Sequence, residues 1–236
     1  MPVISVIIPV YNHASVLKQC LVSLVGQTLL PGEVIIVDDG STDDFEKVAA
    51  EISNDERLKK LNIKIIRQQN RGAGAARNRG FAESAGELVI FWDADTIARP
   101  EMLEKMKTTL DASPGASFAY SRFKFGWKTM KSRPFDPDAL KKENYIDTTS
   151  LLRRMDFSGF DESLKRFQDW DLWLTLLEKN KTGVFVPEVL FKKLVGGRKG
   201  MSHWRPSLFY RLPWKLKAIK EYETAREIVR LKHGLT

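Results

Sequence analysis

Residues Glu87–Asp95 place an apolar segment directly before two carboxylates, and this pattern restricts the fold more than any other in the chain. Leu88 to Trp92 is a continuous apolar run, which is typical of a strand buried on both faces of a parallel sheet. Side chains alternate along a strand, so Asp93 and Asp95 would point the same way if the extended geometry continues. The sequence therefore predicts an acidic pair at the carboxyl end of a strand, where open α/β sheets bind ligands.

The acidic pair can be interpreted in two ways. Two hard oxygen ligands suit Mg²⁺ or Mn²⁺, which usually take one or two carboxylates together with the phosphates of a substrate. Alternatively, the pair lies in a solvated loop, where an aspartate caps the helix that starts near Arg99-Pro100-Glu101. Other segments of the chain must decide between a cation site and a cap.

Three segments near the amino terminus predict a parallel sheet. Val3–Val10 and Glu33–Val37 are short apolar runs, and the helix between them would be capped by Asn12 or Ser15. Strand, helix and strand at this spacing form a βαβ unit with a right-handed crossover. Ile63–Ile66 adds a third strand, so the fold class is α/β.

The second half of the chain has a different character. Ser117–Trp127 alternates aromatic and polar residues, which predicts a surface strand, antiparallel to its neighbours. Tyr145–Leu152 and Gly183–Leu190 are further predicted strands, the last interrupted by Pro187.

Composition excludes several protein classes. A chain of 236 residues fits one large domain, or one domain with a small appendage. Cys20 is the single cysteine, which indicates a reducing cytosol. The first residues lack the basic segment of a signal peptide, and no apolar run approaches the length that spans a bilayer. We therefore expect a cytoplasmic protein.

The positive charge is concentrated in the tail. Residues 198–236 contain ten Lys or Arg and three Glu, so they carry +7 of the net charge of +8. This asymmetry predicts an anionic partner for the tail, such as a lipid surface or a diphosphate, and argues against a nucleic-acid-binding protein. Apolar residues between Leu212 and Val229 recur at helical spacing. The tail helix would lie either in a membrane interface or against the flank of its own domain.

Two glycine-rich or acidic segments have competing interpretations. Gly72-Ala-Gly74 resembles a dinucleotide fingerprint, but Arg77 stands where the third glycine belongs, so we reject a dehydrogenase. Small residues on this helix instead permit close packing on the sheet, and Arg77 can reach a phosphate.

Asp169 and Asp171 lie at the start of another predicted helix. Helix capping explains one carboxylate well and two less well.

Five motifs in order resemble those of family 2 inverting glycosyltransferases with the GT-A fold. They are Val6–Asn12, Glu33–Asp43, Asn70–Asn78, Asp93-Ala94-Asp95 and Gln168–Leu172. The resemblance covers about residues 3–190. It implies a Rossmann-like, mostly parallel sheet flanked by helices, in a domain of residues 1–197. Residues 1–110 would bind the nucleotide sugar, 111–197 the acceptor, and 198–236 would form a flexible basic loop and an amphipathic helical tail.

The resemblance also implies the activity. The enzyme would move a hexosyl or N-acetylhexosaminyl group from a nucleoside diphosphate sugar, with UDP favoured, to an acceptor hydroxyl, with Mn²⁺ or Mg²⁺. The acceptor would be a carbohydrate or lipid-linked molecule in surface polysaccharide, glycolipid or glycan synthesis, with contacts expected around Phe123–Trp127 and the loop around Asp136. Contact of the basic tail with the inner face of a membrane would follow.

The resemblance also implies roles for individual residues. Asp93 and Asp95 match the DXD metal motif, with His203 as a further metal candidate, and Asp169 matches the general base. Gln168 departs from the usual glutamate before this aspartate. The donor nucleotide would be bound by Pro9, Tyr11, Asn12, Asp38, Asp39, Arg77, Asp93 and Ala94.

Two rival classes remain at this point. A non-catalytic nucleotide-sugar-binding or membrane-associated accessory protein on the same fold is compatible with Gln168. A nucleotidyltransferase also holds a metal with paired carboxylates, but it needs a triphosphate site, and no phosphate-binding glycine loop follows the first strand.

Overall fold

The computed structural model describes residues 3–194 and 217–235. The strands are β1 (Ile4–Val10), β2 (Glu33–Asp38), β3 (Ile63–Arg67), β4 (Leu88–Phe91), β5 (Thr96–Ala98), β6 (Ala116–Phe125), β7 (Lys128–Thr129), β8 (Leu151–Arg153) and β9 (Thr182–Lys193). The helices are α1 (Ala14–Val25), α2 (Phe45–Asn54), α3 (Ala73–Ala82), α4 (Met102–Asp111), α5 (Pro137–Lys142), α6 (Gln168–Glu178) and α7 (Lys217–Lys232), with short 3₁₀ turns at Leu58–Lys60 and Arg154–Asp156.

The first half of the chain forms the predicted parallel sheet. Strands β1, β2, β3 and β4 are parallel and adjacent in the order β3-β2-β1-β4. Their apolar runs are buried on both faces, because helices cover each side of the sheet. The chain thus has the mixed α/β architecture expected from its sequence.

The second half extends the same sheet in the order β8-β6-β9-β5, and β7 pairs only with β6. Strand β8 runs antiparallel to β4 and β6, whereas β6 and β9 are parallel to each other. The prediction of an antiparallel strand over Ser117–Trp127 is therefore correct toward β8 and wrong toward β9. Register shifts between Ser121 and Phe123 bend the long β6–β9 pair.

Two of the predicted local structures are wrong. Helix α1 is not capped by Asn12 or Ser15; the carboxylate of Asp43, from the loop after β2, accepts a hydrogen bond from the Ala14 amide at 3.0 Å. The predicted strand over Tyr145–Leu152 is only β8, from Leu151. Residues 145–150 are held instead by side-chain to backbone bonds, as in Thr149 N to Asp147 Oδ1 at 2.9 Å.

Two apolar cores lie on opposite faces of the sheet, as the alternation along β1 shows. Ile8 faces the core formed with α1, α2 and α4, and Ile7 faces the core formed with α5, α6 and α7. Three tryptophans are fully buried in these cores, and they are Trp92, Trp170 and Trp173. The two cores fix the sheet between helical layers, so the carboxyl ends of its strands form one rigid edge.

Helix α7 packs on the domain. Val229 is fully buried in the second core, and the Tyr222 ring lies against Phe167 with centroids 4.9 Å apart. The buried carboxylate of Asp171 on α6 pairs with Lys232 at 2.8 Å and with His233 at 2.9 Å. Of the two placements predicted for the tail helix, the described part adopts the one against the domain flank. No helix within residues 3–194 or 217–235 is long and apolar enough to cross a bilayer.

The small residues of α3 allow this helix to approach the sheet closely, as predicted. A Cβ atom at Gly80 would lie 2.4 Å from Ile7 Cγ2 and 3.2 Å from Val37 Cγ2, and both partners are fully buried. Such contacts lie far inside van der Waals separation. Close packing of α3 brings Arg77, three residues earlier, down to the strand edge.

We predict that Gly80→Ala lowers the free energy of unfolding by about 1–3 kcal/mol, because overpacking outweighs the better helix propensity of alanine. Urea denaturation measures the change. Gly115→Ala is the matched control, since no heavy atom lies within 4 Å of its Cβ position. Equal stability of Gly80→Ala and the wild type would show that α3 can move away from β1 at no cost.

Candidate active site

The acidic pair lies just beyond the end of β4. The extended geometry does not continue through it, because a tight turn closed by Thr96 N and Asp93 O at 2.9 Å starts there. Ala94 is buried inside this turn, and the indole of Trp92 donates to Thr96 O at 3.3 Å. Both carboxylates therefore project from this rigid turn, residues 93–96, here called the acidic turn. They lie close enough to interact electrostatically.

Asp93 forms two ion pairs. Its Oδ1 accepts from Arg77 Nη2 at 2.8 Å, and its Oδ2 accepts from Lys193 Nζ at 2.7 Å. Burial opposes ionisation of Asp93, but the charges of Lys193 and Arg77 outweigh it and hold the pKa well below its usual range. The two cations thus favour the ionised form of Asp93 at the sheet edge.

Asp95 has a different environment. Its Oδ1 is buried and accepts no hydrogen bond from any residue in the described ranges. Burial, together with the charge of Asp93, raises the pKa of Asp95 to about 6. A buried carboxylate oxygen without a partner is costly, and a cation placed beside it would remove that cost.

Lys193 is a site residue that sequence reasoning missed. Its ammonium bridges Asp93 and Asp147, with both nitrogen–oxygen distances at 2.7 Å. Burial disfavours the charged ammonium, yet Asp147 and Asp93 outweigh this effect and raise its pKa. The amide of Leu194 also donates to Asp95 O at 2.9 Å, so the end of β9 is tied to the acidic turn.

Asp169 lies in the first turn of α6. Its Oδ2 accepts from Asn144 Nδ2 at 2.8 Å, and its Oδ1 accepts from the amide of Trp170 at 2.9 Å. Burial, and after it the charge of Asp147, raises the pKa of Asp169. Phe167, directly before the helix, has a left-handed backbone with φ of 59°, so the chain turns sharply into α6. These contacts fix the orientation of the Asp169 carboxylate.

Gln168 links α6 to α3. Its Oε1 accepts from Arg77 Nη1 at 2.8 Å, and its Nε2 donates to Leu164 O at 2.6 Å. A Cβ at Gly74 would lie 2.9 Å from Gln168 Nε2, so the glycine makes room for this amide. The residue that departs from the glutamate expected at this position therefore orients Arg77, whereas the Asp169 carboxylate bonds to Asn144 and to the Trp170 amide.

One open cavity of about 590 Å³ brings most of these groups together, and Asp95 is not among its lining residues. Its polar lining includes Arg77, Asp93, Asp147, Asp169 and Lys193. Its aromatic lining comes from β6, from the loop between α5 and β8, from the start of α6 with the residue before it, and from α7; the residues are Phe123, Phe125, Tyr145, Phe167, Trp170 and Tyr222. The arrangement can bind a polar ligand between a basic, metal-compatible edge and an oriented carboxylate.

The predicted nucleoside residues surround the loop after β2. Asp39 is 2% exposed; its Oδ1 accepts from Gln68 Nε2 and from the Arg71 amide, and its Oδ2 accepts from the Gly72 amide, all at 2.8–2.9 Å. Asp38 is also buried, and its Oδ1 accepts from the Ser41 amide. Both buried carboxylates thus stabilise the loops after β2 and β3 by accepting hydrogen bonds from residues of these loops.

The remaining nucleoside candidates are more accessible. Tyr11 is an exposed aromatic residue, and Asn12 adopts a φ of 55° with its Oδ1 accepting from the Thr42 amide at 2.8 Å. Pro9 precedes them within β1, opposite Val37. His203, the further metal candidate, lies outside the described residues.

The acidic turn supplies only some of the ligands that a divalent cation needs. Within the two described ranges, no three His, Cys, Asp or Glu side chains form a ready-made cage. Mg²⁺ and Mn²⁺ need few protein ligands when substrate phosphates supply the rest, and the unpartnered oxygen of Asp95 is a suitable donor. Asp93 is already shared by Arg77 and Lys193.

Known proteins resemble this chain in sequence. The family model described as Glycosyl transferase family 2 matches residues 5–164. The chain is 41% identical over 101 residues to the cholesterol galactosyltransferase of Borreliella burgdorferi, which covers 43% of this chain and 27% of that protein. Several curated relatives match over only about a third of their own length, at 33%, 30% and 29%.

Two solved structures share the fold. S. aureus TarS 1-349 in complex with UDP has a TM-score of 0.67 at 23% identity, covering 82% of this chain and 60% of that one. The mannosyltransferase PcManGT from Pyrobaculum calidifontis, in complex with GDP-Man and Mn²⁺, has a TM-score of 0.65 at 20% identity, covering 85% and 59%. The architecture is that of the GT-A fold.

We predict that Asp39→Asn lowers the free energy of unfolding by about 1–3 kcal/mol, because an amide cannot accept all three hydrogen bonds of the carboxylate. Thermal or urea unfolding measures the change. Asp44→Asn is the matched control: Asp44 is exposed and forms no side-chain cap, so we expect a change below about 0.5 kcal/mol. Full stability of Asp39→Asn would mean that the three donors find other partners.

Proposed function

Because the chain belongs to glycosyl transferase family 2, we propose that it is an inverting transferase that moves a hexosyl or N-acetylhexosaminyl group from a nucleoside diphosphate sugar to an acceptor hydroxyl. The observation that carries this proposal is the shared cavity of Asp93 and Asp169. One carboxylate belongs to the sheet edge and the other to the opposite helix. The acceptor is a carbohydrate or a lipid-linked molecule in polysaccharide, glycolipid or glycan synthesis.

In the proposed complex, residues 1–110 bind the donor. Tyr11 offers its ring to the base, and Pro9 and Asn12 border the nucleoside. Asp38 and Asp39 hold the loops that receive the base and present it with acceptor oxygens, and Ala94 lies under the ribose. The related structures contain UDP in one case and GDP-Man in the other, and we favour a UDP-sugar.

The diphosphate would lie against the acidic turn. Asp93 and Asp95 are the residues that would hold Mn²⁺ or Mg²⁺, and Asp95 Oδ1 is available for this purpose. When bound, the ion supplies positive charge that offsets the negative charge accumulating on the leaving diphosphate. Arg77 supports Asp93 from the buried side, so the position of this carboxylate does not depend on the ligand. His203 stays a further metal candidate.

Asp169 is the proposed general base. Its pKa is raised by burial, which makes it a better proton acceptor, and Asn144 orients it. Asp169 takes the proton of the acceptor hydroxyl while the hydroxyl oxygen forms a bond to the anomeric carbon. The bond from that carbon to the diphosphate oxygen breaks on the opposite face, and its electron pair leaves with the diphosphate. The result is inversion in one displacement.

The acceptor would enter through the half formed by residues 111–197. Phe123 and Tyr145 line this side of the cavity, and sugar rings pack well on aromatic faces. A non-catalytic nucleotide-sugar-binding protein is the alternative that rested on Gln168. The hydrogen bond from Arg77 to Gln168 gives this residue a structural role, which favours the enzyme. We place the enzyme in the cytoplasm, with the basic C-terminal tail in peripheral contact with the inner face of a membrane.

We predict that Asp169→Asn lowers kcat by about 10²–10⁴-fold, because the variant cannot take the acceptor proton. UDP binding in the presence of Mn²⁺, measured by calorimetry, should be unchanged. Asp138→Asn, at an exposed position of α5, is the control and should keep full turnover. The donor is chosen first by thermal shift with UDP-, GDP- and dTDP-sugars. Undiminished turnover of Asp169→Asn would remove this residue from the mechanism.

We predict that Lys193→Gln binds Mn²⁺ at least about tenfold more tightly than the wild type, because the ammonium that occupies Asp93 and Asp147 is removed. Free Mn²⁺ measured by electron paramagnetic resonance gives the affinity without any turnover. Lys192→Gln is the matched control, since Lys192 is the exposed neighbour on the same strand. An unchanged or weaker affinity of Lys193→Gln would show that Lys193 and the cation do not compete.

A further inference from the structure

Residues 122–133, here called the basic hairpin, form a segment whose composition differs from the rest of the domain. The segment has no Asp or Glu. Its cations are Arg122, Lys124, Lys128, Lys131 and Arg133, and they alternate with Phe123, Phe125, Trp127 and Met130. Neither the donor site nor the proposed chemistry uses most of these residues.

The basic hairpin projects from the edge of the core. The first six residues of β6 are buried, and from Arg122 onward exposed and half-buried positions alternate. Strand β7 returns beside the end of β6, with Lys124 opposite Thr129. The turn passes through Gly126, which has a φ of 58°, a conformation that other residues rarely adopt. This turn places Trp127 at the tip.

Trp127 is 86% exposed. The other tryptophans within the described ranges, Trp92, Trp170 and Trp173, are at most 1% exposed. An indole in water forgoes the burial of a large apolar surface, whereas tryptophan is enriched at membrane–water interfaces, where the ring is half-buried and its N–H stays wet. The exposure of Trp127 is therefore explained by a partner with an apolar interior and a polar surface.

The charges around Trp127 indicate that this partner is negatively charged. Lys124 and Lys131 are exposed, and no acidic residue of the basic hairpin offsets them. Arg133 is paired with Glu143, and Arg122 lies over the Phe185 ring, so these two cations are partly used by the domain itself. A tryptophan flanked by lysines matches the headgroup region of an anionic bilayer, where each nearby lysine strengthens binding about fivefold.

The basic hairpin is also a wall of the active-site cavity. Phe123, Phe125, Met130 and Lys131 line the cavity, and the Gly126 amide donates to Lys193 O at 3.0 Å. A surface in contact with Trp127 would thus lie beside the cavity and not on a remote part of the domain. This position is what a transferase with a bilayer-anchored acceptor requires.

We propose that the basic hairpin binds the surface of a bilayer containing anionic phospholipid, with the Trp127 ring in the headgroup region and Lys124 and Lys131 beside phosphate groups. The cavity then faces the bilayer, and an acceptor anchored there reaches Asp169. This last step rests on the proposed function, whereas the binding of the bilayer does not.

Co-sedimentation with vesicles tests the proposal. The full chain is mixed with vesicles of phosphatidylglycerol and phosphatidylcholine, and in parallel with vesicles of phosphatidylcholine alone. Trp127→Ser should lower the partition coefficient by about tenfold or more, because the ring contributes a large apolar area. Lys124→Gln should lower it by about fivefold. The wild type should bind the anionic vesicles more tightly than the neutral ones.

Matched controls exist for both variants. Met155→Ser removes an apolar side chain that is 87% exposed elsewhere on the domain, and Lys60→Gln removes an exposed lysine near the β3 edge of the sheet. Both should partition like the wild type. Unchanged melting temperatures exclude unfolding of the variants.

Three results would overturn the proposal. They are no binding of the wild type to anionic vesicles, undiminished binding of Trp127→Ser, and equal losses in Trp127→Ser and Met155→Ser. Undiminished binding of Trp127→Ser would locate the membrane contact on another part of the chain. Calorimetric binding of UDP with Mn²⁺ tests the proposed function separately, because Trp127 takes no part in the donor site.

Discussion

The bridge that Lys193 forms between Asp93 and Asp147 holds the active-site edge together. It joins the end of β9 to the turn after β4 and to the loop before β8, three segments that are distant in the sequence. On the other side of Asp93, Arg77 continues the network to Gln168 on α6. The buried charges of Arg77, Asp93, Asp147 and Lys193 are tolerated because each is paired, and breaking one pair would leave its partner uncompensated. These ion pairs join the segments that line the cavity.

The parallel half of the fold could be predicted from the sequence because its signals are local. An apolar run such as Leu88–Trp92 predicts a buried strand from its own sequence. The glycines of α3 likewise predict close packing of this helix. The positions of Arg77, Asp93 and Asp169 in one cavity followed from the ordered motifs of the family. Asp93 follows the end of a strand and Asp169 lies at the start of a helix, where the sequence pattern and the geometry coincide, whereas Arg77 lies within the small-residue helix α3.

The rest of the site depends on tertiary contacts that no local pattern records. Lys193 follows another lysine in an ordinary strand. Asp147 lies in an irregular segment that was predicted to be a strand, and Asn144 lies just before that segment. The N-cap predicted for α1 was also wrong because the actual contact is tertiary: Asp43, which accepts a hydrogen bond from the Ala14 amide, belongs to a different loop. Only the pairing of β6 with both β8 and β9 brings these side chains to the sheet edge.

The attachment of α7 has a consequence for how the molecule is made. Strands β1 to β4 contact one another early in the chain, whereas α7, which lines the cavity through Tyr222 and Arg226, is synthesised after residue 216. Domains begin to fold as the nascent chain emerges. The sheet of β1 to β4 can therefore assemble on the ribosome, and the wall of the cavity formed by α7 is completed when His233 and Lys232 reach Asp171. A polypeptide interrupted before this point would have the edge of the parallel sheet in place and the α7 wall of the cavity missing.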